Sequence, residues 1–92
     1  MTRDEISALV RSILGTIAPE VDLAHVRTNA DLRDELDIDS MDFLRFVVEL
    51  NARLGVQVPE KDYPLIRTLD AVVAYLLERA SPAAAGRPAV AR

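Results

Sequence analysis

The sequence predicts an all-α protein, a four-helix bundle with three long helices, one short helix and a long loop between the first two. Apolar residues recur at spacings of three and four over long stretches, which is the period of an amphipathic helix. Half of the 92 residues are hydrophobic, yet only three are glycine, two are Phe and two are Tyr. A chain of this length supports one modest core, which must be built mainly from Leu, Val, Ile and Ala.

The domain is expected to occupy residues 1–80, because all of the periodic stretches lie there. Residues 81–92 consist mostly of Ala, Pro and Arg. Such a low-complexity segment cannot bury enough apolar surface to fold, so it is predicted to be a disordered tail.

The first helix is predicted over about residues 3–17. Thr2 and Glu5 have the spacing of a capping box, in which the two side chains satisfy free N–H groups at the helix start. Gly15 weakens the helix near its end, and Pro19 prevents the chain from continuing it. The apolar residues expected to face the core are Ile6, Leu9, Val10, Ile13, Leu14 and Ile17.

The connection over residues 19–39 is longer than most loops in helical bundles. The stretch from Thr28 to Asp31 is predicted to cap a single helical turn at 29–34 within it. His25, the only histidine, has no second His or Cys with which to share a metal, so no chemistry is expected of it. Apolar residues that can pin the loop to the bundle are Val21, Leu23, Val26, Leu32, Leu36 and Ile38.

The second helix is predicted from Ser40 to Leu54, with Gly55 as its C-cap. Asp39 and Ser40 are both favourable N-cap residues, and Asp42 places a carboxylate where the helix dipole favours negative charge. A hydroxyl at a helix N-terminus lies beside free backbone N–H groups, which accommodate a phosphate. The residues expected to form its buried face are Phe43, Leu44, Val47, Val48, Leu50 and Leu54.

Two further helices are predicted after a short extended segment at 56–58. A third helix begins at Glu60, and Pro64 limits it to about one turn. Thr68 caps the fourth helix, which ends near Arg79. Its expected apolar stripe consists of Leu69, Val72, Val73, Leu76 and Leu77.

The charge of the chain argues against two classes of partner. Its net charge of -4 disfavours nucleic acid and anionic membrane surfaces and favours proteins with basic docking faces. The acids Asp31, Asp34 and Glu35 lie too far from the second helix to serve its dipole. The absence of cysteine, of a signal-peptide core and of any membrane-length apolar run favours the cytoplasm.

Metal and catalytic sites are not expected. The segment 37–39 begins like a calcium loop, but Met41, Asp42 and Val48 occupy positions that need a ligand, a glycine and a glutamate. Ser40 has no identifiable general base, and the pair Asp37 and Asp39 has little room for a substrate pocket beside it. The sequence therefore predicts a non-enzyme.

Residues 36–42, which read LDIDSMD, resemble the Asp-Ser-Leu site of acyl carrier proteins. The resemblance continues through residues 49–59 and 68–72 and covers about residues 3–79. An isolated Asp-Ser pair carries no information. The whole window is specific, because the helices before and after it have the family's separations.

This resemblance implies that Ser40, flanked by Asp39 and Met41, carries 4'-phosphopantetheine. A phosphopantetheinyl transferase would supply the group from coenzyme A. Its thiol would hold acyl groups as thioesters for loading, transferring or elongating enzymes, and a monomer without membrane insertion is expected. The resemblance also implies that the apolar core between the second, third and fourth helices can shelter an acyl chain.

The sequence departs from the family in three ways. Met41 replaces the usual Leu, which nearly conserves volume, and Asp37 stands where many members have Gly. Arg45 interrupts the acidic face of the second helix, whose predicted partner-binding residues are Asp37, Asp42, Arg45 and Glu49. Because Arg45 would repel the basic faces of housekeeping fatty-acid enzymes, a specialised polyketide, modified-lipid or aminoacyl pathway is predicted.

Three alternatives remain open at this point. One is an aminoacyl or peptidyl carrier. Another is an unmodified helical adaptor that binds partners through its acidic face. The third is a small hydrolase that uses Ser40 as a nucleophile.

Overall fold

Regular structure in residues 2–79, the part of the chain that the computed structural model describes, is entirely helical. The predicted tail at residues 81–92 lies outside this range. The α-helices are α1 (Arg3–Ile17), α2 (Leu32–Leu36), α3 (Ser40–Leu54) and α4 (Leu69–Arg79), and two 3-10 helices span Leu23–His25 and Glu60–Ile66. The all-α prediction is confirmed.

The predicted bounds of the two longest helices are confirmed. At the start of α1, Thr2 Oγ1 accepts from Glu5 N at 3.2 Å, and Glu5 Oε1 accepts from Thr2 N at 2.7 Å, which completes the capping box. At the end of α3, Gly55 adopts a left-handed φ of 69° and donates its N–H to Asn51 O at 2.8 Å. The start of α1 and the end of α3 are therefore set by residues at those positions.

The single turn predicted at 29–34 lies further along the chain. It is α2, and its cap is Asp31, whose Oδ1 accepts from Arg33 N at 2.9 Å. Thr28 is engaged elsewhere, because its hydroxyl donates to Asp70 Oδ2 at 3.1 Å and its carbonyl accepts from Asp70 N at 2.9 Å. The cap is therefore Asp31, the last residue of the predicted capping stretch, and not Thr28.

The third helix is longer than the single turn expected from Pro64. It is a 3-10 helix of seven residues, Glu60–Ile66, with Pro64 inside it. The φ that the proline ring imposes, about −65°, matches the 3-10 conformation, so the ring does not end the helix. Ile66, at its end, is fully buried and anchors it to the core.

The core lies where α1 packs against α3 and α4, and the Glu60–Ile66 helix packs against α4. Each of the four α-helices contributes to it. The side chains that are almost completely buried are Ile6, Val10, Ile13, Leu14, Leu32, Leu36, Phe46, Leu50, Ile66, Val72 and Leu76.

The predicted buried face of α3 is partly wrong. Leu44 and Val48 are 46% and 57% exposed, whereas Phe46, which was not included in the prediction, is fully buried. The buried residues Phe43, Phe46 and Leu50 follow spacings of three and four. Leu44 and Val48 lie further round the helix, and one helix face cannot bury both sets.

The long loop is pinned to the junction before α4 as well as to the core. Leu32 N donates to Arg67 O at 2.7 Å, and residues Asp31 and Thr68 form an isolated β-bridge. The apolar anchors predicted for the loop are confirmed, since all of them are at least partly buried. This pinning brings Asp31, Arg33 and Arg67 beside the start of α3.

Candidate functional site

Ser40 is the first residue of α3, and its side chain is exposed. Asp39 is the N-cap: its Oδ1 accepts from Asp42 N at 2.9 Å, and its carbonyl accepts from Phe43 N at 3.0 Å. The N–H groups of Ser40 and Met41 precede these and have no partner within the helix. The Ser40 hydroxyl makes no hydrogen bond to residues 2–79, so it is available for chemistry.

The turn before Ser40 is held in a defined shape. Asp37 adopts the left-handed conformation, with φ 53° and ψ 47°, and Ile38 N donates to Arg33 O at 3.1 Å. Ile38 and Phe43 occupy the two positions of a hydrophobic staple, and both are buried. These constraints fix the angle at which the chain enters α3 and hence the direction of Ser40.

A cavity of about 340 Å³ opens beside Ser40, between the start of α3 and the Glu60–Ile66 helix. Charged side chains from the loop, from Glu60 and from Arg67 contribute to its wall, together with aromatic and proline rings. The lining residues are Asp31, Arg33, Ser40, Phe43, Glu60, Tyr63, Pro64 and Arg67. We call this space the Ser40 cavity.

The charges of the Ser40 cavity are partly paired. Arg67 Nη2 lies 3.2 Å from Asp31 Oδ2. Burial by itself would raise the pKa of the Asp31 carboxyl, but hydrogen bonds from the Arg33 backbone and the Arg67 side chain outweigh it and lower that pKa. The Arg33 guanidinium and the Glu60 carboxylate have no ion pair within residues 2–79, so each brings an unpaired charge, of opposite sign, to the cavity lining.

The predicted partner-binding residues lie in the turn before α3, at the start of α3 and along its middle. Asp37 and Arg45 are exposed, whereas Asp42 and Glu49 are half-buried. Glu49 Oε1 accepts from Arg53 Nε at 3.2 Å, which partly neutralises its charge. The negative charge of α3 around Glu49 is therefore weaker than the sequence suggests.

The sequence reasoning missed an exposed apolar face on α3. Met41 is 68% exposed, and with Leu44, Arg45 and Val48 it follows the helical spacing of one face. We call these four residues the exposed face of α3. The sequence did contain a sign of this face, since adjacent apolar residues occur at 43/44 and at 47/48. Two adjacent helical residues point about 100° apart, so a single packing contact with the core does not bury both members of such a pair.

Other chemistry has little support in the described range. Residues 2–79 contain no group of three or more His, Asp or Glu side chains arranged to hold a metal ion. His25 Nδ1 lies 2.6 Å from Asp22 Oδ2 on the surface, and the Ser40 cavity is lined without a histidine. None of the helices in this range is both long and apolar enough to cross a membrane.

Comparison with known proteins identifies relatives over most of the chain. The family model for the phosphopantetheine attachment site matches residues 4–76. The meromycolate extension acyl carrier protein of Mycolicibacterium smegmatis is 33% identical over 86 residues, 91% of this chain and 86% of the relative. Its counterpart in Mycobacterium tuberculosis H37Rv is 31% identical over 87 residues, covering 92% and 75% respectively. The acyl carrier protein of Rubrobacter xylanophilus is 30% identical over 78 residues, covering 85% and 95%.

The residues around Ser40 fit 4'-phosphopantetheine. A phosphate linked to this hydroxyl would lie at the N-terminus of α3, and the Arg33 guanidinium in the same cavity complements its negative charge. The rings of Phe43, Tyr63 and Pro64 offer an apolar wall to the pantetheine chain. When bound, the group supplies a terminal thiol that holds acyl groups as thioesters.

Proposed function

Because this chain belongs to the acyl carrier protein family, whose cofactor is 4'-phosphopantetheine, we propose that Ser40 is the residue that carries the group. The observation that supports this most is the position of the Ser40 side chain. It is exposed at the first residue of α3 and lines the Ser40 cavity. Asp39 and Met41 flank it, and Asp39 holds the helix start in place.

As the family implies, a separate phosphopantetheinyl transferase is proposed to attach the group. The Ser40 oxygen forms a bond to phosphorus and its proton leaves, while the phosphoanhydride bond of coenzyme A breaks and releases adenosine 3',5'-bisphosphate. The chain then acts as a non-catalytic carrier. It presents acyl groups to loading, transferring and elongating enzymes.

A specialised lipid pathway is the proposed setting. Two of the relatives named above are meromycolate extension acyl carrier proteins, and Arg45 alters the charge of α3 in a way that favours dedicated partners. The relatives give no support to an aminoacyl carrier or an unmodified adaptor. The cytoplasmic location and the monomeric state stay predictions.

The partner surface is proposed to be the exposed face of α3 together with the acids beside it. Apolar side chains that are 46–68% exposed at Met41, Leu44 and Val48 supply area that a partner can desolvate. Asp37, Asp42 and Glu49 add charge at the rim, which steers encounter more than it adds affinity. Arg45 lies within the face and is expected to select among partners.

Intact-mass measurement tests the attachment site. The full chain is incubated with coenzyme A and a broad-specificity phosphopantetheinyl transferase, and we expect a mass gain of one phosphopantetheine group. Ser40→Ala should abolish the gain. Ser12→Ala, which removes another exposed serine at the surface of α1, should leave it intact.

The same samples separate the alternatives. A chain that never gains mass would contradict the carrier proposal and leave the adaptor. Turnover of an activated ester by the unmodified wild-type chain, lost in Ser40→Ala, would support the hydrolase instead.

A further inference from the structure

Two aromatic rings stand between the Ser40 cavity and the bundle core. Phe43 and Tyr63 make an edge-to-face contact, with ring centroids 5.4 Å apart and planes at 75°. Both rings line the cavity, and Phe43 is only 7% exposed. Behind Phe43 lies Phe46, at a centroid distance of 6.2 Å and fully buried. The path from Ser40 to the core is thus filled by packed rings.

The helix that bears Tyr63 is held in place from its other side. Tyr75 Oη donates to Asp62 Oδ2 at 2.7 Å. The Arg79 guanidinium lies 3.6 Å from the centre of the Tyr75 ring, and its Nη2 is 3.9 Å from Asp62 Oδ2. These contacts hold the backbone of the Glu60–Ile66 helix against α4, and they therefore fix the position from which the Tyr63 side chain reaches Phe43.

The cavity is also small and partly polar. Its volume of about 340 Å³ is near the lower end of the range of 300–1,000 Å³ that is typical of ligand sites. The pantetheine chain itself would occupy part of it. The charged side chains Asp31, Arg33 and Glu60 share its wall with the aromatic and proline rings, so only part of the wall suits an alkyl chain.

We propose that Phe43 and Tyr63 close the bundle core to the acyl group, so that this carrier keeps its cargo at the surface. Short or polar acyl groups fit beside the rings in the Ser40 cavity, and a long alkyl chain stays outside the bundle. This inference rests on the proposed function of Ser40. It departs from the sheltered chain that the family resemblance implied, because the two rings occupy the entrance.

Nuclear magnetic resonance of core methyl groups tests the proposal. The methyl-labelled full chain is loaded at Ser40 from acetyl- or octanoyl-coenzyme A by the transferase, and loading is verified by intact mass. In the wild type, we expect the methyl signals of Leu50, Ile66 and Leu76 to be the same with either acyl group. In Tyr63→Ala and Phe43→Leu, the octanoyl group should shift them relative to the acetyl-loaded form of the same variant.

Leu65→Ala is the matched control, because it shortens a 54% exposed side chain on the same helix and should behave like the wild type. Octanoyl-dependent shifts in the wild-type core would overturn the proposal. The proposal would also be overturned if the octanoyl group shifted no core methyl signal in either single variant or in the double variant, since the rings would then not be the barrier. A chain that shows no mass gain fails at Ser40 instead, and the inference falls with the proposed function.

Discussion

Asp39, and not Ser40, caps α3, although both residue types are suited to the position. The Asp39 carboxylate and carbonyl bind the N–H groups of Asp42 and Phe43, so the serine hydroxyl is not needed to stabilise the helix. The adjacent Asp37 adopts a left-handed conformation, with φ 53°. That conformation is unfavourable for most residues but is tolerated by Asp. Asp37 and Asp39 therefore hold Ser40 at the start of α3 without a hydrogen bond to its hydroxyl oxygen.

Arg45 is expected to determine which partners use the carrier. Arg45→Glu should improve use by housekeeping fatty-acid enzymes with basic docking faces, because it replaces a repulsive charge with an attractive one. We expect kcat/KM to rise by about tenfold at low ionic strength, corresponding to roughly 1.4 kcal/mol. Steady-state kinetics across a salt series measures it.

Arg3→Glu provides the control, since it changes the net charge equally at an exposed position on α1. If kcat/KM rises equally in Arg45→Glu and Arg3→Glu, the increase is caused by the change in net charge and not by the position of Arg45. If neither gains, the electrostatic interpretation of α3 is wrong.

The ends of α1 and α3 show how single positions define an element. α1 begins with a complete capping box at Thr2, and α3 ends at a glycine whose φ is 69°. Between these end points, the length of each helix follows from how far the helical spacing of apolar residues continues along the sequence. The element that sequence reasoning described least well, Glu60–Ile66, has neither a side-chain cap nor a long period.

Gly15 and Gly55 are predicted to respond oppositely to substitution by alanine. Gly55→Ala should lower the free energy of unfolding by about 1 kcal/mol, because its left-handed φ disfavours a Cβ. The added atom would meet no neighbour within 4 Å, so the cost is conformational. Urea unfolding of the variant measures it.

Gly15→Ala is the matched comparison within α1. It should raise the free energy of unfolding by about 0.5–1 kcal/mol, because alanine favours helix more than glycine does. The new Cβ would lie 3.6 Å from Leu23 Cδ1, an ordinary contact. A loss of stability in Gly15→Ala, or none in Gly55→Ala, would contradict this account.

Across the whole molecule, polar contacts brace the long loop internally and tie it to the start of α4. Arg27 donates to Glu35 through its backbone N–H at 2.9 Å and through Nη2 at 2.8 Å. The hydrogen bonds from the Arg27 side chain and backbone lower the pKa of the Glu35 carboxyl. Asp31 also has a lowered pKa and pairs with Arg67, close to the start of α4.

Acid should therefore loosen the loop and destabilise the fold. A carboxyl whose pKa is lowered on folding stabilises the protein above its unfolded pKa, and this contribution disappears as the pH falls through the folded value. We expect the free energy of unfolding to fall below about pH 4.5, and less steeply in Glu35→Gln. Urea unfolding over a pH series measures the slope.

Glu20→Gln serves as the control, because Glu20 is an exposed carboxylate without a hydrogen bond in the described chain. It should keep the wild-type slope. A Glu35→Gln slope equal to that of the wild type would show that this pair does not couple the loop to folding.

Much of the fold was predictable because its causes are local. The causes that act within a few residues are the capping box at Thr2, Asp39 before Ser40 and the apolar period of α1 and α4. The sequence by itself therefore determined these helices and the place of Ser40 at the start of α3. The placement of Leu44 and Val48 was not predictable. Whether they were buried depended on which side of α3 the other helices cover.

Only the tertiary structure decided what surrounds Ser40. Asp31 and Arg33 come from the loop, Tyr63 and Arg67 from beyond α3, and long-range hydrogen bonds such as Leu32 N to Arg67 O bring them together. The same packing brought Thr28 into contact with Asp70 and Tyr63 against Phe43. Local chemistry therefore specified the exposed serine that we propose as the attachment residue, whereas contacts between residues distant in the chain specified its cavity.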